Sequence, residues 1–164
     1  MAIRIVLLAW AALFFLIGEA RSETTTEAAL SLLCGQRALY LAPDVDAAAR
    51  TYLHHPVTLV ALISVESNCR MDVVGSHGEV CATQLLGVAR NGHSKRALRG
   101  SPKLCIATGA RWLALREVDC GGLFLGLSGY NARTCQGGKR YARKVLGAVA
   151  RFWRAMASRA ERRS

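Results

Sequence analysis

Six cysteines (Cys34, Cys69, Cys81, Cys105, Cys120 and Cys135) follow an N-terminal stretch that reads as an export leader. That pairing constrains the fold more than any other feature. Arg4 gives a short positive start, Ile5 through Ile17 is an unbroken apolar run, and Gly18 and Ala20 set small residues before a cut between Ala20 and Arg21. This is the layout of a secretory signal peptide, and the run is shorter than the ~20 apolar residues of a membrane span. The expectation is a leader over residues 1–20 and one exported domain over 21–164, in the periplasm or cell envelope. An even cysteine count in that setting points to disulfides in an oxidising compartment. No C-x-x-C pair occurs, which argues against a zinc or thioredoxin-type site. The six can pair in many ways, and spacing alone does not choose among them.

The roughly 140 residues behind the leader are enough to bury a real core. Their periodicity is helical. Residues 28–41 are rich in alanine and leucine, and Pro43-Asp44 is expected to break that run. Pro56 suits a helix first turn, with an apolar stretch over 57–66 behind it. Residues 70–81 carry two glycines and no helical period, so a loop is expected. Ser101-Pro102 is a helix start, Gly121-Gly122 a stop, and another short helix is expected over 123–130. After Gly137-Gly138, Tyr141, Val145, Val149, Phe152 and Met156 form one apolar face, with Arg143, Arg151, Arg154 and Arg159 largely off it. Strand signals are weak, so the class is mainly α, with helices packed around one core.

The formal net charge is +11. Such a balance attracts polyanions, and export favours wall acids or anionic lipid over nucleic acid. Glu66 closes the apolar stretch and precedes Ser67. The negative end of the helix dipole and the apolar neighbours both disfavour its anion, as a general acid near neutral pH requires.

Spacing extends this reading. Glu66-Ser67 is followed by Gly78, then by Gln84-Leu85 with Gln84 eighteen residues beyond Glu66, by Gly129-Tyr130-Asn131-Ala132 and by Tyr141-Ala142-Arg143-Lys144-Val145. These motifs, in this order, resemble the catalytic domain of the soluble lytic transglycosylases over about residues 46–155. Cys34, and Cys105 within Leu104-Cys105-Ile106-Ala107-Thr108-Gly109-Ala110, resemble the cysteines of the small members that accompany secretion and conjugation machines. The resemblance implies a lysozyme-like single domain with a substrate groove, braced by disulfides, acting on peptidoglycan glycan strands without cofactor or metal. It implies Glu66 as the catalytic acid and then base, with Ser67, Gln84, Tyr130, Asn131 and Tyr141 holding substrate or Glu66. It also implies a Cys34–Cys105 bond. Cys69 and Cys81 bracket one loop and are expected to pair, leaving Cys120 with Cys135. The chain departs from the family at Cys81-Ala82-Thr83, where glycine, leucine and methionine stand, and at Arg133, where glycine stands.

Other readings remain open at this level: a hydrolytic lysozyme on the same fold, a peptidoglycan-binding module without catalysis, and a cationic membrane-active protein. Glu79 and Asp72 are expected to be solvated loop acids, although either could supply the second carboxylate of a hydrolase. His54, His55, His77 and His93 lack ligand spacing and are expected at the surface or as caps. The basic last helix is expected to adhere to anionic walls or membranes.

Overall fold

A computed structural model of the chain describes residues 23–132 and 134–163. The leader expected over 1–20 and the departure at Arg133 lie outside the described residues. Among the described residues seven α-helices form: α1 (Thr25–Cys34), α2 (Ala42–Tyr52), α3 (Pro56–Ser67), α4 (Lys95–Gly100), α5 (Pro102–Cys120), α6 (Leu123–Asn131) and α7 (Lys139–Glu161). Short 3-10 turns cover Gln36–Leu41 and Gly87–Arg90. Among the described residues there is no strand, only isolated bridges of Val80 with Val74 and Leu85.

Local chemistry sets the boundaries. Thr24 and Glu27 form a capping box at the start of α1, so the helix begins at Thr25, ahead of the alanine- and leucine-rich stretch from residue 28. The helix expected to reach residue 41 ends at Cys34 instead, where Gly35 takes φ 84°. Pro43 does not break a helix but opens α2, because a proline in the first turn lacks only an N–H that would be unpaired anyway. Ser101 caps α5 by accepting from Leu104 N, and Gly121 ends it in the left-handed region.

α3 is apolar on every side, with Val57 through Ile63 all buried, which is the signature of a central helix. It packs against α1, α2 and α7, while α5 packs against α2, α4 and α6. One core joins the two groups through Leu30, Leu62, Ile106, Leu113, Leu127 and Phe152. α7 presents Ala142, Val145, Ala148 and Phe152 to that core and leaves Arg143, Arg151, Arg154 and Arg159 exposed.

Two of the three expected disulfides are re-paired. Cys34 bonds Cys69 and Cys81 bonds Cys105, while Cys120 bonds Cys135 as expected. α1 lies along α3, so the cysteine ending α1 meets the one just past α3. Cys105 sits in the first turn of α5, against the segment that carries Cys81. The loop between Cys69 and Cys81 is therefore not closed on itself but tied at each end to a different helix. Three disulfides are compatible with an exported protein, and no described helix is long and apolar enough to cross a membrane.

Candidate active site

The groove is built by the end of α3, the loop that follows it, and the facing sides of α5 and α6. Glu66, in the last turn of α3, opens onto a cavity of about 650 Å³ with Glu79, Gln84, Trp112, Tyr130 and Asn131 around it. Burial pushes the Glu66 carboxyl up from 4.5 to about 7; the Tyr141 hydrogen bond and the Lys144 charge oppose the rise, and the Glu79 charge adds to it. A carboxyl that still carries its proton near neutral pH can act as a general acid. Tyr141, from the first turn of α7, donates its hydroxyl to Glu66 Oε1 at 2.5 Å. It is partly buried, and burial followed by the Glu66 charge holds its own hydroxyl well above the usual tyrosine range.

The wall beside Glu66 depends on residues 81–84. Cys81 and Gln84 adopt φ of 63° and 48°, a region that non-glycine residues occupy only when their surroundings hold them there. Ser67 Oγ donates to Ala82 O at 2.9 Å, Tyr130 Oη to Thr83 O at 2.7 Å, and Gln84 Nε2 to Cys81 O at 2.8 Å. The Cys81–Cys105 bond ties the segment to α5. Gly109 permits the approach, since a Cβ there would lie 2.6 Å from the Thr83 side chain.

The sequence-derived residues thus divide into two groups. Glu66, Gln84, Tyr130 and Asn131 line one groove. Ser67 and Tyr141 support it from behind. Ser67, expected to bind substrate, is 5 % exposed and its hydroxyl is committed to main-chain carbonyls. The Tyr130 hydroxyl is likewise committed to Thr83, and its ring lies parallel to that of Tyr141 with centroids 6.3 Å apart.

Other contributors had weaker signals. Trp112 and Arg116, one turn apart on α5, both line the groove, with the guanidinium 5.6 Å from the indole centroid. Four residues apart, they share one helix face, and sequence spacing does not say which groove that face meets. Glu79, expected to be a solvated loop acid, also lines the groove with its side chain 24 % exposed. Asp72 stays exposed, as expected. His55 caps α3 by accepting from Val57 N at 3.2 Å. His54, expected at the surface or in a cap, is a correction: its side chain is 3 % exposed, Nε2 lies 3.0 Å from Ala110 O, and Nδ1 lies 3.5 Å from Glu117 Oε1. Packing of α2 on α5 closes over it.

The chain matches no family model and no curated protein.

The Tyr141–Glu66 contact makes a pH prediction. Tyr141→Phe removes a donor that holds the Glu66 pKa down, so that pKa should rise further. Any activity needing protonated Glu66 should then persist to higher pH, with the alkaline limb of the rate profile displaced upward. An unmoved limb would mean that Glu66 does not set it.

Proposed function

We propose that the chain is a peptidoglycan lytic transglycosylase with a lysozyme-like fold. The observation that carries this reading is Glu66: a carboxyl kept protonated to about neutral pH, opening onto a groove and oriented by a tyrosine hydroxyl. The glycan is cut between N-acetylmuramic acid and N-acetylglucosamine. Glu66 gives its proton to the glycosidic oxygen, so the sugar leaves as an alcohol. The Glu66 carboxylate then takes the proton of the muramic acid 6-hydroxyl, whose oxygen closes onto C1. A 1,6-anhydro end results, no water is consumed, and Glu66 regains its proton. Tyr141 is a positioning residue that fixes which Glu66 oxygen faces the groove. Gln84 and Asn131 are suited to the acetamido and hydroxyl groups of the sugar, and the Tyr130 ring to its face. Mass spectrometry of the products released from purified sacculi tests the reading: anhydro-muropeptides are expected, and an absence of glycan cleavage would overturn it.

The partners follow from the same reading. They are glycan strands in the periplasm or cell envelope, and a secretion or conjugation apparatus that needs a local opening in the wall. The exposed arginines of α7 suit anionic wall polymers or lipid headgroups. Charge reversal at Arg151, Arg154 and Arg159 should weaken binding to sacculi most at low salt, where exposed charges act over more than the ~10 Å screening length of 0.1 M salt. Cleavage of a short soluble glycan should persist. Equal loss on both substrates would mean that the helix has another role.

A further inference from the structure

We infer that Glu79 is a second catalytic carboxylate, one that lets water compete with the muramic acid 6-hydroxyl, so that the same groove also hydrolyses glycan strands. The inference rests on the glycan-cleaving reading of Glu66.

Glu79 belongs to a tight turn in which Gly75 N donates to Glu79 O at 2.8 Å and Gly78 N donates to Gly75 O at 3.0 Å. The turn aims the Glu79 side chain at the cavity onto which Glu66 opens. Its carboxylate is fixed there: Oε2 accepts from His77 N at 3.0 Å, and Oε1 lies 3.3 Å from His77 Nδ1. A Cβ at Gly75 would collide with both Glu79 Oε2 and Gln84 Oε1, so the glycine leaves room for these two side-chain ends as they are placed. Asp72, in the same loop, stays exposed and has no part in the groove's lining.

The two glutamates are driven in opposite directions. Burial keeps Glu66 protonated, while main-chain N–H groups and His77 hold Glu79 below the ordinary carboxylate range. One acid and one base in a single groove is what hydrolysis of a glycosidic bond requires. Glu66 passes its proton to the leaving oxygen as the C1–O4 bond breaks. A water oxygen bonds to C1, and a proton of that water passes to Glu79. Glu66 and Glu79 return to their starting states through solvent. The net change is addition of one water, with no oxidant or reductant.

Cleavage of sacculi in heavy-oxygen water separates the two routes, because hydrolysis labels the new reducing end and transglycosylation leaves an unlabelled anhydro end. The unaltered protein is expected to yield both. Glu79→Gln keeps the side-chain shape and an acceptor for His77 N, and should lower the ratio of labelled to anhydro ends at least about tenfold, within the range of a positioned base. The variant should also move the alkaline limb of anhydro formation to lower pH, because the Glu79 charge helps hold the Glu66 proton. Glu79→Asp, which keeps the charge but withdraws it, should lower the ratio by less. Anhydro ends alone from the unaltered protein, or an unchanged ratio in Glu79→Gln, would overturn the inference and leave transglycosylation standing. Labelled ends alone, lost in Glu79→Gln, would overturn transglycosylation and uphold the role of Glu79. No cleavage by the unaltered protein would overturn both.

Discussion

Glu66→Gln should abolish release of anhydro-muropeptides while raising stability above neutral pH. The amide fits the same space and can still accept from Tyr141, so the end of α3 should keep its packing. It can neither give a proton to the glycosidic oxygen nor take one from the 6-hydroxyl. A positioned acid or base is worth about 10²–10⁴-fold per proton transfer, so failure of both should leave cleavage undetectable. The stability effect has the opposite sign. Folding raises the Glu66 pKa from 4.5 to about 7. Native stability is therefore undiminished by this group below the unfolded value and falls as pH rises through the folded one. The difference approaches about 3 kcal/mol above pH ~8. Melting curves should coincide near pH 4 and separate in favour of the variant near pH 8. Retained cleavage would sink the assignment of Glu66, and coincident melting at both pH values would show that its carboxyl is not held protonated.

Replacing Cys81 and Cys105 together by alanine should lower stability by about 3 kcal/mol, the loop entropy restored to the unfolded chain by opening a bond between residues 24 apart. For a domain of this size the melting temperature should fall by roughly 10 °C. Losing the Cys34–Cys69 bond, with its sequence separation of 35, should destabilise by a similar amount. The two double variants should differ in activity. Cys81 anchors the strained segment whose carbonyls hold Ser67, Tyr130 and Gln84, so its loss should reduce cleavage even well below the melting temperature. The Cys34–Cys69 bond joins helix ends in the core, and its loss should spare activity where the protein remains folded. Calorimetry and cleavage assays on both variants at one low temperature check this. An unchanged melting point for the Cys81, Cys105 variant would mean that the bond does not form.

Much of the helical frame was legible because it is written locally. Ser101-Pro102, Gly121-Gly122 and the apolar period of α7 depend on near neighbours in sequence, and they delimit helices where expected. Pro43 was misread because one residue chemistry both ends and begins helices, and only tertiary packing decides which. The cysteine pairs required knowing that α1 lies on α3, which no spacing encodes. Glu66, Gln84, Tyr130 and Asn131 could be picked out, yet the use of each could not. Whether a tyrosine hydroxyl faces a groove or a carbonyl depends on loops folded across tens of residues, as Tyr130 and Thr83 illustrate. Glu79 and Asp72 could not be told apart for the same reason: the turn that sets Glu79 on the groove is closed by backbone bonds between Gly75, Gly78 and Glu79.

In residues 81–83 the labour is divided between side chain and main chain. The side chains are buried in the core, and the carbonyl oxygens hold Gln84, Ser67 and Tyr130. Every amino acid carries that oxygen. At Ala82 and Thr83, which unlike Cys81 carry no disulfide, substitutions that conserve volume and polarity should therefore leave the groove's course unchanged. Ala82 and Thr83 thus serve the groove as a path of the backbone, through oxygens that any residue would bring.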